Sequence, residues 1–195
     1  MQAFAACYGD GCDWINREDD ARDKGLRTSK LQYLPAALGG KVRLQVGTEL
    51  DILKRVPSLK TERLTLTALR PSDRDAYNAL CLDDDRNRWW GYDFRQDLKG
   101  ELTEDYFLSV ARHDFAARQA VNFAVRLDGH LIGEAVLYRF DWRGGAELGC
   151  RIAAAYAGHG YGTEAFTAAA EWALFGLTLA KVKAKCYKEN TASYK

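Results

Sequence analysis

Glu147-Leu-Gly-Cys-Arg-Ile-Ala-Ala-Ala-Tyr-Ala-Gly-His-Gly-Tyr-Gly-Thr-Glu-Ala165 runs from a strand pattern into three glycines and then directly into a helix. Gly158, Gly160 and Gly162 let the backbone turn tightly and approach a ligand with no Cβ in the way. The free N–H groups of the first helical turn carry roughly half a positive charge. Such an end favours a phosphate or pyrophosphate. A dinucleotide-binding fold also places a glycine-rich turn between strand and helix, but there the motif follows the first strand of repeated βαβ units. Here several strands come first, which counts against a nucleotide-binding reading of that type.

Working outward, Arg63 to Leu69 alternates as a strand. Pro71-Ser72-Asp73 starts a helix with Ala76, Tyr77, Leu80 and Cys81 on one face. Arg86 to Gln96 is aromatic and charged, with no clean period. Thr103 caps a helix over Glu104 to Arg118, with Tyr106, Phe107, Val110 and Ala111 at helical spacing. Asn122 to Arg126 is a strand, Asp128-Gly129 a tight turn, and His130 to Arg139 the returning strand. A strand over Ala146 to Ala153 then leads to a helix from Thr163 to Phe175, ended by Gly176, with Phe166, Ala169, Ala170 and Ala173 as its core stripe. Lys181 to Tyr187 is the last strand. The pattern is α+β: an antiparallel meander, then one right-handed strand–loop–helix–strand crossover.

A boundary falls near Pro57, so residues 1–57 read as an N-terminal extension and 58–195 as the main domain. The extension holds an irregular stretch from Tyr8 to Lys24, a helix from Thr28 to Leu38 ended by Gly39-Gly40, and a hairpin. In that hairpin Val42, Leu44 and Val46 alternate on one arm, and Leu50 and Ile52 on the other. The 195 residues are 47% hydrophobic and 28% charged, which excludes disordered, collagenous and coiled-coil classes. A formal charge of +1 argues against nucleic-acid binding and a polybasic membrane contact. No apolar run reaches the length of a spanning helix, and the N-terminus does not read as a secretory signal. The five scattered cysteines read as reduced thiols of a cytoplasmic protein, and Cys7 and Cys12 lack the further ligands of a zinc site, so no metal is expected.

Several ordered segments resemble the GCN5-related N-acetyltransferase (GNAT) superfamily, in its branch similar to ribosomal-protein N-terminal acetyltransferases. They are Leu59-Lys-Thr-Glu-Arg-Leu-Thr-Leu, Asp128-Gly-His-Leu-Ile-Gly-Glu, Ala146-Glu-Leu-Gly-Cys-Arg-Ile, Ala157-Gly-His-Gly-Tyr-Gly-Thr-Glu-Ala and Glu189-Asn-Thr-Ala-Ser. The resemblance covers about Leu59 to Lys195 and implies a mixed, mostly antiparallel twisted sheet flanked by helices. In the family's pattern Gln/Arg-x-x-Gly-x-Gly/Ala, Gly160 and Gly162 match and Ala157 replaces the usual polar residue. The resemblance implies acetyl-CoA as co-substrate and no metal. Residues Ala157, Gly158, His159, Gly160, Tyr161, Gly162 and Thr163 would receive its pyrophosphate, and Cys150, Arg151 and Ile152 would pair with its pantetheine arm as an added strand. Asn190 and Ser193 match the family's polar contacts to that arm, or else they cap a helix.

The implied acceptor is an amine that loses a proton. Glu147 matches a frequent family carboxylate and would serve as base, directly or through water; the alternative is an ordinary strand carboxylate. Glu134 is a weaker candidate, and Cys150 reads as packing rather than as an acyl carrier. Trp89, Trp90, Tyr92 and Phe94 lie where the family walls its acceptor cleft; they either grip the acceptor or form a lid on the core. The family continues with a helix bearing a Tyr that serves as general acid, then further strands. This chain stops at Lys195, and Tyr194 comes too early to match, so the C-terminal part reads as missing. Residues 28–56 could supply those elements against Lys181 to Tyr187, within one chain or in a homodimer, or they form an independent extension. The leading reading is acetyl transfer to a primary amine on a protein N-terminus or small molecule, and the alternative is a non-catalytic acyl-CoA-binding module.

Overall fold

A computed structural model describes residues 24–32, 49–191 and 193. The chain divides into two compact units, Met1–Leu44 and Gln45–Lys195. In the first, the described element is helix α1 (Lys24–Leu31). The remainder of the expected helix, Tyr33 to Leu38, and the hairpin arm Val42 to Val46 lie outside the described residues.

The second unit is a six-stranded sheet in sequential order. Its strands are β1 (Leu59–Lys60), β2 (Leu64–Ala68), β3 (Ala120–Leu127), β4 (His130–Asp141), β5 (Gly145–Ile152) and β6 (Lys181–Lys183). All neighbours are antiparallel except β5 and β6, which are parallel. The β3–β4 hairpin closes on Asp128 and Gly129, both at positive φ, as a two-residue hairpin turn requires. The helices are α2 (Arg74–Leu82), α3 (Asp84–Asn87), α4 (Tyr106–Ala116) and α5 (Tyr161–Glu171), and α5 continues into a π-helical turn over Trp172–Gly176. This is the mixed α+β sheet with flanking helices that the sequence implied.

Strand alternation divides the side chains between two faces. Leu64, Leu66, Val121, Phe123, Val125, Leu137, Ala146 and Leu148 form the main core with Ala165, Ala169 and Ala173 of the C-terminal helix. Alanines at four-residue spacing keep that helix face thin, so the helix axis can come close to the sheet. The π-helical turn ends at Gly176, where a Cβ would lie 2.6 Å from Cδ1 of Trp172, so the close packing of that indole requires glycine. On the opposite face a smaller cluster forms around Tyr77, Leu80, Cys81, Phe107 and Leu108. Beside it Arg126 donates two hydrogen bonds to the Asp73 carboxylate, at 2.8 and 2.6 Å, tying β3 to the start of α2.

Several local expectations change: the helix expected over Glu104 to Arg118 runs from Tyr106 to Ala116, with Asp105 and not Thr103 at its N-cap. Glu49–Ile52 is a 3₁₀ turn and not a strand. Leu50 is fully buried and Ile52 is 69% exposed, while Leu53 packs against the core, so the spacing that matters is three residues and not two. Ala76 is exposed, on the solvent side of α2. β6 ends at Lys183, and residues 184–189 are exposed.

Candidate active site

The site begins where two neighbouring strands part. β5 pairs with β4 out to Ile152, through Gly133↔Ile152. On its other side it pairs with β6 only at Gly145, Ala146 and Glu147. From Leu148 to Ile152, among the described residues, that edge has no strand partner, and its backbone groups can accept an added extended segment. The edge leads through a 3₁₀ turn, Ala154–Tyr156, to the glycine loop. Gly158 and Gly160 have φ of +81° and +79°, and Gly160 is the N-cap of α5. The first α5 bond to the cap runs from Glu164 N to Gly160 O, so the amides of Tyr161, Gly162 and Thr163 have no acceptor within the helix. A Cβ at Gly158 would meet nothing within 4 Å. The loop is therefore an open, amide-rich helix end of the kind that receives phosphate.

A clamp that the sequence did not reveal holds this loop. Arg63, just before β2, donates to His159 O at 3.0 Å and to Glu164 Oε2 at 2.7 Å. Thr61 Oγ1 and the Arg63 amide donate to Glu164 Oε1 at 2.5 and 2.9 Å. Burial acts to raise the Glu164 carboxyl, but these hydrogen bonds prevail and hold it below its ordinary range. The Arg63 guanidinium lies 4.6 Å over the Tyr161 ring, which in turn stacks on His159. His159 bonds its own loop at Ala157 O.

Cys150 and Arg151 leave β5 on opposite faces. Cys150 faces α5, with Sγ 3.7 Å from Gly162 O, and burial pushes its thiol up to about 12. A thiol protonated at neutral pH makes a poor acyl carrier. The Arg151 side chain enters the other face, where it meets Glu134, directly opposite in register. Arg151 Nε and Nη2 donate to Glu134 Oε2 at 3.1 and 2.8 Å. Glu134 Oε1 accepts from Tyr77 Oη at 2.5 Å and Asn122 Nδ2 at 2.7 Å. Four donors thus occupy both oxygens of a carboxylate that is 1% exposed, so Glu134 serves as a structural partner inside the fold and has no free oxygen for an acceptor amine.

Glu147 lies on the same face as Gly149 and Arg151, opposite Tyr138. Lys185 Nζ donates to its carboxylate at 2.7 Å and Arg139 Nη1 at 3.2 Å. The Lys185 hydrogen bond, against a smaller effect of burial, holds the carboxyl below its ordinary range. Arg139 sits at a positive φ of 52°, where the β4–β5 register shifts, a position at which a bulge re-aims a side chain.

The expected acceptor wall divides. Trp90 lies over β5: its ring is 4.4 Å from the Arg151 guanidinium carbon, and a Cβ at Gly149 would come within 3.3 Å of it. Trp89 packs on Tyr187 at 5.6 Å. Phe94 instead packs edge-on against Phe107 in the small core, and Tyr92 is exposed, donating to Asp97 at 2.9 Å. Asn190 and Ser193 lie in turns beyond β6, bonded as Asn190 N to Tyr187 O and Ser193 N to Asn190 O. Among the described residues no cluster of three or more His, Cys, Asp or Glu could hold a metal, and no helix is long and apolar enough to cross a membrane.

A family model for the acetyltransferase (GNAT) domain matches residues 63–195. No curated protein matches the chain. Among solved structures, a GNAT-family acetyltransferase from Bacillus anthracis is 25% identical, with a TM-score of 0.58 over 71% of this chain and 78% of that one. RimJ of Mycobacterium smegmatis, in complex with CoA-disulfide, is 19% identical, with a TM-score of 0.59 over 71% and 72%. Spermidine N-acetyltransferase from Vibrio cholerae, in complex with CoA and spermine, is 20% identical, with a TM-score of 0.58 over 69% and 77%. The split between β5 and β6, the glycine loop at the head of α5 and a family match over two-thirds of the chain agree, and the protein belongs to the GNAT acetyltransferases, enzymes that transfer the acetyl group of acetyl-CoA.

Proposed function

We propose that the protein acetylates a primary amine, on a protein N-terminus or a small molecule. The observation that carries this reading is the β5 edge from Leu148 to Ile152, free of β6 and leading to the glycine loop. An extended pantetheine arm fits as an added strand beside Cys150, Arg151 and Ile152, and the amides from Gly158 to Thr163 suit the pyrophosphate. Acetyl-CoA supplies the activated acetyl thioester. A backbone N–H on the same edge would polarise its carbonyl. The amine approaches from the face that carries Glu147 and Trp90, where the Glu147 carboxylate stays ionised through the neutral range and can take a proton directly or through water. Trp89 and Trp90 wall that approach; Asn190 and Ser193 are assigned to the pantetheine arm by family resemblance alone. The spermidine enzyme of V. cholerae is an amine acetyltransferase of similar fold, which agrees with this acceptor class.

Calorimetry with acetyl-CoA, CoA and ATP tests the donor, and thiol release over an amine panel tests the transfer. Binding of both CoA species but not ATP, with amine-dependent thiol release, is expected. Binding without release on any amine would leave a non-catalytic acyl-CoA module. Gly160→Val puts a β-branched residue at φ +79°, where such residues are strained, and places a side chain between the loop and its ligand. The new Cβ meets only Arg63 Nη2 within 4 Å, at 3.5 Å, so no steric clash adds to that backbone strain, and circular dichroism with a melting curve shows whether the variant keeps its fold. Acetyl-CoA affinity is expected to drop tenfold or more, about 1.4 kcal/mol. An unchanged affinity in the folded variant would remove the loop from the site.

A further inference from the structure

The face of β5 that carries Glu147 also carries a buried ion pair that acetyl transfer does not call for. The Arg151 and Glu134 side chains are 9% and 1% exposed. Removing two charges from water is expensive, and a well-packed apolar pair of similar volume is often as stable or more so. The cost is accounted for if the guanidinium has a task that no apolar group can perform, and its hydrogen bonds identify one.

Arg151 uses its fork to join separate elements. Nε and Nη2 hold Glu134 on β4, Nη2 lies 3.1 Å from Cys81 Sγ at the end of α2, and Nη1 donates to Asn87 Oδ1. Asn87 Nδ2 donates in turn to the carbonyls of Leu80, Cys81 and Asp83 at 3.1, 2.9 and 2.7 Å, so one amide group ties the end of α2 to β5. Trp90 N then donates to Asn87 O at 2.9 Å, and its ring covers both the guanidinium and Gly149. The position of Trp90 over the strand is thus set by Asn87 and Arg151 together. Gly149, with no side chain, is what lets the indole come so close.

We propose that Arg151 is the positioning residue of the acceptor wall: through Asn87 it fixes Trp90 over Gly149 and so sets the gap in which an amine meets the acyl group. This rests on the amine-acetyltransferase reading. Its consequence is selective. The Arg151 side chain points away from α5 and the glycine loop, so losing it should disturb the acceptor and not the donor.

The test replaces the pair by neutral groups of similar size, Glu134→Gln/Arg151→Met, which leaves no buried charge unpaired and should preserve the fold. Acetyl-CoA affinity is expected to stay within about twofold of wild type, since its contacts are backbone on the other edge. The acceptor's KM should rise and its kcat/KM fall on the order of 10²-fold, the cost of a wall misplaced by about 1 Å. Trp90→Ala, which keeps the ion pair, should show the same split. Unchanged acceptor kinetics in the folded double variant would overturn the proposal, as would a parallel loss of acetyl-CoA affinity, which would mean that the strand itself had distorted. A wild-type protein that binds acetyl-CoA yet releases no thiol with any amine would instead overturn the underlying reading, and the positioning role with it.

Discussion

Glu147→Gln is expected to lose about 10²–10⁴-fold in turnover near neutral pH, the usual cost of removing a general base. The substitution keeps shape and can still accept from Lys185 and Arg139, which now hold the carboxylate at 2.7 and 3.2 Å. Acetyl-CoA affinity should hardly change. The pH dependence has a definite sign. Lys185 holds the Glu147 carboxyl below its ordinary range, so it remains ionised from neutral pH down into the acid range and loses its basic form only below its ordinary pKa. Any rise in rate between neutral and alkaline pH therefore reports the acceptor amine and not Glu147. As pH approaches the amine's own pKa, the substrate arrives deprotonated and the deficit should shrink. The same linkage gives Glu147 a stabilising role present above its unfolded pKa and lost as pH falls through the lower folded value. Equal turnover of wild type and Glu147→Gln, with chemistry rate-limiting, would retire the base and leave water or substrate self-deprotonation.

Glu134→Ala is expected to be among the most destabilising single substitutions in this domain, by about 3–5 kcal/mol. It would strip Arg151 of its counter-ion in a buried site and leave Tyr77 Oη and Asn122 Nδ2 without their acceptor. Tyr77 could not compensate by ionising. In the wild type burial first, and the Glu134 charge second, hold its hydroxyl well above its ordinary range, and burial is the cause that survives the substitution. Denaturant unfolding should show the loss as a lower midpoint at unchanged slope. Glu134→Gln/Arg151→Met should recover most of it, because the damage comes from the orphaned charge and not from the missing attraction. A single variant as stable as wild type would mean that water reaches the guanidinium, which its 9% exposure argues against.

The features legible in the sequence were those set by neighbours along the chain. Gly158 and Gly160 take left-handed backbone angles that other residues resist, so the loop before α5 could be read from residue type alone. The alternation of Leu64 with Leu66 marked one buried face of β2. Where two periods compete, local reading fails: Leu50 and Ile52 alternate like a strand, yet Leu50 and Leu53 are the pair that packs, which only the core they join could decide. Phe94 and Trp90 look equivalent within one aromatic run, but one fills the small core and the other covers Gly149. The partners of the site were equally hidden. Arg63 and Glu164 are 101 positions apart, Arg151 and Asn87 64, and Arg151 and Glu134 17. Alternation shows that a strand has two faces, but strand register and helix packing decide which distant charge each face meets. For the same reason the point after Glu147 where β6 leaves β5, which opens the edge for a ligand, is a property of the sheet and of no single segment.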